Sequence, residues 1–282
     1  MGRIHAVSRR FVALLGAVTG AAVAVAGCGA SQVVDPVAQA AQVTASAPGY
    51  RMSAVMSITG AVPVTASMSG AIDTAADSGT MRMHEVLAGH QVNAPMVFSR
   101  LNFWMRASAI AGAAKLTGGR PWIYVDMSKA LGAMGVGSLP GTTDPSQFLN
   151  YLHAVGANPS VVGKVTIHGV HTTEYRAVID LDRYKQLYHA SATSISTIES
   201  ALGSHTMPVQ AWIDGQNRVR RIHIAFPECV AGKKDQFSVT MGLYDFGPQP
   251  QVQVPQERQV YNLTPLLTAD YGQAKLACTS VS

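Results

Sequence analysis

From Tyr50 onward the chain alternates, and this alternation limits the fold more than any other feature. Tyr50, Met52, Ala54, Met56 and Ile58 take every second place, with Arg51, Ser53, Ser57 and Thr59 between them and only Val55 out of phase. After Gly60 the pattern resumes, with Val62, Val64, Ala66, Met68 and Ile72 set against Thr65, Ser67 and Ser69. Successive side chains on a strand point to opposite faces. The pattern therefore predicts two antiparallel strands with one apolar and one wet face, joined by a short hairpin turn.

Further strands are expected at 79–87, 92–101, 102–105 and 121–125. The intervening 107–119 (ASAIAGAAKLTGG) has small residues and no strand period, so it is either a short helix or a flap; 127–141 is similarly loose. A helix is marked at Asp144-Pro145-Ser146-Gln147, where Asp144 can N-cap, Pro145 suits the first turn and Gln147 completes a capping box. Phe148, Leu149, Leu152 and Val155 give it an apolar stripe, and Gly156 ends it. Strands return at 164–167 and 171–181. Asp182 then opens a second helix running to about Leu202, whose Ser/Thr-rich middle, 191–197, is a place to fray or break. A meander follows over 207–213, 218–226 and 235–246, with Asp214-Gly215-Gln216-Asn217 as its first turn. Strands in runs, with helices inserted and no βαβ rhythm, indicate an α+β fold built on an antiparallel sheet packed against helices.

The N-terminus has a different character. Arg3, Arg9 and Arg10 precede sixteen uncharged residues, 11–26, rich in Ala, Val and Leu. A spanning helix wants about 20 strongly apolar residues, so this run fits the apolar core of an export signal better. Ala24-Val25-Ala26 is a small-x-small cleavage site of the ordinary kind, but Gly27-Cys28 follows directly. Val25-Ala26-Gly27-Cys28 resembles a bacterial lipobox, in which small residues admit the peptidase and the Cys28 thiol takes a diacylglyceryl group, with palmitate as a typical further acyl chain. The expected organisation is a signal at 1–27, a lipidated Cys28 and flexible tether over 28–49 with a helical turn near 36–43, and one folded domain at 50–282. The expected location is the extracytoplasmic face of the cell membrane, held there through the Cys28 lipid. An uncleaved anchor or a soluble secreted protein are the alternatives.

Charge agrees with export rather than with nucleic acid. The chain has 21 Lys+Arg and 16 Asp+Glu, and residues 1–27 hold three of those Arg and no acid, leaving 18 against 16. The excess basicity thus belongs mostly to the signal, and nothing electrostatic calls for a nucleic-acid partner. With Cys28 lipidated, Cys229 and Cys278 remain as a pair. In an oxidising compartment they are expected to join, closing a loop worth about 4 kcal/mol in the chain-entropy model; two free buried thiols are the alternative.

No catalytic pattern is apparent. His168 and His171 are close in sequence, but no Cys or carboxylate completes a metal set, and His84 and His90 straddle an expected turn. There is no G-x-S-x-G, no S-x-x-K, and Gly135-Val136-Gly137-Ser138 lacks the Lys and the following helix of a phosphate loop. Asp180 and Asp182 fit a strand-to-helix cap. The chain is expected to be no enzyme, with no metal and no cofactor. Its unusual feature is methionine: Met52, Met56, Met68, Met81, Met83, Met96 and Met105 all fall within the first sheet region, mostly at alternate places. Met fills space adaptably, so with Val64 and the neighbouring Ala residues these positions are expected to form either a plastic apolar lining or an ordinary core.

Several runs extend the pattern: Gly119-Arg120-Pro121-Trp122-Ile123-Tyr124-Val125-Asp126, Met207-Pro208-Val209-Gln210-Ala211-Trp212-Ile213-Asp214, Arg218-Val219-Arg220-Arg221 and Tyr244-Asp245-Phe246-Gly247. With the lipobox and the long meander, they resemble the actinobacterial LppX/LprG-type lipoproteins and, more distantly, the LolA and LolB carriers. The resemblance spans roughly 50–255. It implies a curved antiparallel sheet, a half-open barrel, with helices packed on the concave face around an apolar cavity. It also implies binding, and possible transport across the envelope, of acylated lipids or glycolipids. Met52, Met56, Val64, Met68, Met81, Met83 and Met96 are then the expected cavity lining, and the membrane, the lipid ligand and an unidentified transport partner are the expected partners. The competing expectation is a surface interaction or sensor-accessory lipoprotein of the same fold with a filled core; an envelope enzyme is third.

Overall fold

The computed structural model describes residues 35–59, 63–87, 90–133, 147–156, 159–190, 192–230 and 233–271. Cys28 and Cys278 lie outside these residues, as do the proposed signal, the start of the expected helix at 144–146 and the loop 135–138.

The period-two segments form the strands β1 (Gly49–Thr59), β2 (Val64–Asp73), β3 (Ser78–Leu87), β4 (His90–Ser99) and β5 (Asn102–Arg106). They are followed by β6 (Trp122–Asp126), β7 (Ser160–Ile167), β8 (Val170–Asp180), β9 (Thr206–Asp214), β10 (Val219–Val230) and β11 (Lys233–Tyr244). With β12 (Val260–Asn262) they make one unclosed, curved sheet of 12 strands in the order β12-β6-β5-β4-β3-β2-β1-β11-β10-β9-β8-β7. Every neighbouring pair is antiparallel except β12 with β6. The α+β class expected from the sequence is therefore the observed one. Tight turns rest on residues with positive φ. His168 (φ 49°) and Gly169 (φ 78°) form the two-residue link between β7 and β8, the backbone shape that matches strand twist.

The helices are α1 (Pro36–Ala45), α2 (Ala113–Thr117), α3 (Met127–Ala133), α4 (Gln147–His153), α5 (Leu181–Tyr188), α6 (Ala192–Leu202) and α7 (Thr264–Tyr271). The segment 107–119 thus takes the short-helix alternative. Order also begins earlier than Tyr50. Asp35 accepts hydrogen bonds from the amides of Val37 and Ala38 at 2.8 and 3.3 Å, and Pro36 opens the helix. Val37, Ala40, Ala41 and Thr44 then form one buried stripe, so most of what reads as tether after Asp35 is a packed helix. The expected long helix from Asp182 divides in two. Asp180, not Asp182, caps α5 through the Arg183 amide at 2.9 Å, and His189 (φ 49°) ends it before α6.

One latch fixes α1 to the sheet. The Thr44 hydroxyl donates to the Ala40 carbonyl at 2.6 Å and accepts from the Val219 amide at 2.8 Å. Beside it the buried Asp214 carboxylate accepts from the amides of Gln216 and Arg218 and from the Nε of Arg218 (3.2 Å) and Arg220 (2.6 Å). Burial pushes that carboxyl up, but these donors outweigh it and hold it below the usual carboxylate range. Both guanidinium groups also lie over the Phe246 ring, at 4.7 and 4.8 Å.

Candidate functional site

Residues paired directly across an antiparallel sheet share a face, so the register shows where the methionines go. Across β1–β5 one row reads Tyr50, Ile72, Gly79, Phe98 and Phe103. The next reads Met52, Gly70, Met81, Met96 and Met105, and the next Ala54, Met68, Met83 and Ala94. Met56 follows opposite Ala66. All seven methionines of this region thus stand on one face, which continues through Leu243, Met241, Val239 and Phe237 of β11 and Ile222, Ile224 and Phe226 of β10.

Two glycines shape that face. A Cβ at Gly79 would lie 2.4 Å from the Phe98 ring, and one at Gly70 would lie 2.9 Å from Met81 Cγ. Both would also press on neighbouring backbone carbonyls, at 2.4 and 2.1 Å. Phe98 and Met81 therefore lie flat across bare backbone rather than standing off it. The sequence expectation included neither glycine. Their signal was a missing side chain at an apolar place in the alternation.

Depth varies along the rows. Tyr50, Met52, Ile72, Met81 and Phe98 are buried in the main core, whereas Met56, Met68, Met96 and Phe103 are only partly buried against it. Met83 and Met105 are partly buried as well. Val64 stands opposite Ile58 in the register; its side chain lies outside the described part. The helices gather toward the two flanks of the sheet. Among the described residues, the main helix-to-strand contacts of α1, α5 and α6 fall on β8, β9 and β10, and α4 bridges α1 and α5. On the other flank α3 and α7 contact β5 and β6. The methionine face of β1–β4 lies between these two groups.

The helices on the β8–β10 flank carry a polar but uncharged cluster. Tyr151 of α4 and Tyr184 and Tyr188 of α5 pack ring to ring, with centroids 4.8 and 4.9 Å apart. His153 Nδ1 is hydrogen-bonded to the Tyr188 hydroxyl, and its Nε2 is buried without a partner among the described residues. Burial, reinforced for Tyr151 by Tyr184 and for Tyr184 by Tyr188, raises the phenol pKa values well above normal. Burial alone raises that of Tyr188 and lowers that of the His153 imidazole. At neutral pH the cluster therefore brings hydrogen-bonding groups and no charge to the core.

The other sequence candidates stand apart. His168 lies in the β7–β8 turn against the Tyr244 ring, 5.3 Å between centroids, and His171 pairs with the Thr166 hydroxyl at 3.1 Å. Asp180 caps α5. Cys229 is in β10, register partner of Lys234. A depression lined by Asp182, Lys185, Gln186, His189 and Ala190 shares no residue with the methionine face.

No family model matches the chain, and no curated protein is matched by its sequence. Solved structures to which it is similar include LprF from Mycobacterium bovis, at 14% identity over 78% of this chain and 94% of that one, with a TM-score of 0.47. The Mycobacterium tuberculosis lipoprotein LppX is similar at 13% identity, covering 77% of this chain and 96% of that one, with a TM-score of 0.48. A LolA superfamily protein from Nitrosomonas europaea is similar at 6% identity over 77% and 93% of the two chains, with a TM-score of 0.29. These neighbours are of the kinds that the sequence resemblance named.

Proposed function

We propose that this chain is an envelope lipoprotein, held at the extracytoplasmic face of the cell membrane through a diacylglyceryl Cys28, that binds an acylated lipid or glycolipid on its methionine face. The observation that carries the reading is the group of partly buried Met56, Met68, Met83 and Met96 beside the buried Met52 and Met81. A flexible thioether surface suits an acyl chain, which needs shape and apolar contact more than directed polar groups. Each buried CH₂ contributes about 0.8 kcal/mol. Binding and release between membranes, without covalent chemistry, is the activity that follows.

A second reading makes the same face the filled core of a surface interaction protein, and the burial of Met52 and Met81 favours it. Titration of the purified protein with a lipid carrying a fluorescent acyl chain separates the two. Saturable binding that Met68→Trp removes supports the first reading, and no saturable binding supports the second. The anchor is tested separately. Cys28→Ala is expected to leave the precursor unlipidated or released into the medium, and normal processing with full membrane retention would contradict it.

A further inference from the structure

The two ends of the sheet are finished differently. At one end β12 is three residues long and leads into α7. At the other, β7 pairs with β8, and among the described residues no strand pairs with its outer side. The rest of the β8 edge is taken by the chain just before β7: Val155 bridges Ile179, and the Gly156 amide donates to the Val178 carbonyl at 2.8 Å. Sheets commonly blunt a bare edge with bulges and charge. β7 has one bulge, at Val162, and one charge, Lys164. The regular run 163–167 is left with its edge open.

The direction of its backbone groups is fixed by a contact to β8. The Val165 carbonyl points inward, where it accepts from the Thr172 hydroxyl at 2.7 Å. Backbone groups of successive residues turn to opposite sides of a strand, so the N–H and C=O of Lys164 and Thr166 point out from the edge. The side chains divide as well. Tyr175, Ala177 and Ile179 pack in or against the main core. Thr173 and His171 share their face, and so do their register partners Lys164 and Thr166; Val165, partner of Thr172, is on the other face.

We propose that β7 pairs antiparallel with β7 of a second copy of this chain, about a two-fold axis through Val165. Such a contact is isologous, and it requires outward-pointing residues opposite one another. Lys164 against the partner's Lys164 would oppose like charges, which destabilises a cross-strand pair. One step back sets Lys164 against the bulge, and two steps forward set it against the partner's His168 in the turn. The remaining register places Lys164 opposite the partner's Thr166 and Thr166 opposite the partner's Lys164, with the two Val165 side chains meeting on the axis. The strand is thus complementary to itself without opposing its one charge. The contact is small beside the roughly 1,000 Å² of a stable interface, and copies held on one membrane through the proposed Cys28 lipid supply the local concentration that a weak contact needs. The two concave faces then open to the same side of one continuous sheet.

The test uses the full chain in its membranes. Directly opposed residues that exchange no backbone hydrogen bond have Cα atoms about 4.5 Å apart, within the span of a disulfide. Val165→Cys should therefore link to its own copy under mild oxidation, read as a dimer band on a non-reducing gel about tenfold above both Val161→Cys and the unsubstituted chain. Val161 is the more exposed of the two, 63% against 42%, but in this register it lies about 25 Å from its copy. Added to Val165→Cys, Thr166→Lys sets a cation opposite the partner's Lys164 and should abolish the link, whereas Thr166→Glu should keep or strengthen it. Thr166 is exposed, so the melting temperatures of these variants should match. A Val165→Cys chain that stays monomeric, equal linking at Val161, or a link unchanged by Thr166→Lys overturns the proposal. A chain lost to the medium marks failure of the anchor, and pairing is then read by the same pattern on the concentrated protein; a retained monomer marks failure of pairing.

Discussion

Replacing methionine by tryptophan at two depths of the same face asks the structure for opposite answers. Met52 is 1% exposed and enclosed by the main core, so the larger indole at Met52→Trp must displace packed neighbours. Overpacking of this kind costs typically 1–3 kcal/mol. For a domain of this size each kcal/mol moves the melting temperature by roughly 2–4 °C, so a fall of about 2–12 °C is expected. Met68, two register positions away through Ala54, is only partly buried. Met68→Trp is expected to cost under about 1 kcal/mol while filling space that an acyl chain needs, so it should lose lipid binding with its melting temperature nearly kept. Ser67→Trp is the control, because Ser67 faces the other side and its hydroxyl donates to the His84 carbonyl at 3.4 Å. Thermal melts and lipid titrations on the three variants decide the matter. Equal destabilisation at Met52 and Met68, with no binding to lose, would refute the distinction between filled and open parts of the face.

Removing one partner of the buried carboxylate cluster in Asp214→Asn should cost about 3 kcal/mol, read as a lower denaturation midpoint with an unchanged slope. A variant as stable as the parent would show that the two arginines find other partners. Burial lowers the His153 pKa in the folded state, so the unfolded chain binds the proton first as pH falls. The group therefore subtracts no stability above its unfolded pKa of about 6.5 and destabilises progressively below it. Melting curves from neutral to mildly acidic pH should fall less steeply for His153→Phe, and parallel profiles would contradict this. Mass spectrometry of the non-reduced mature protein should find Cys229 and Cys278 in one linked peptide pair; two alkylatable thiols would refute the disulfide.

The strands were legible because their signal is local. The alternation of β1 and β2 states which face is apolar, and the observed register places its methionines together as expected. The depth of each methionine was not legible, since Met52 and Met68 read alike in the sequence. What separates them is their row: Met52 stands within the main core, and Met68, opposite Ala54, at its edge. In α1 the signal was present but weak: Asp35-Pro36 gives a cap, and Val37, Ala40, Ala41 and Thr44 have helical spacing. Alanine marks a buried face faintly, and that is why the stretch reads as a linker. The break after α5 was expected within the Ser/Thr-rich run and falls just before it, at His189. β12 could not be read at all, because a three-residue strand pairing parallel with β6 leaves no period of its own.

The central claim is that the methionine face holds lipid, and the most direct measurement is organic extraction and mass spectrometry of the protein purified from its own membranes, with Met68→Trp prepared in parallel. The account predicts a lipid with long acyl chains near one per protein in the wild type and its loss in the variant. A wild-type protein that carries no lipid from its own membranes, and a Met68→Trp that is destabilised as strongly as Met52→Trp, would contradict it.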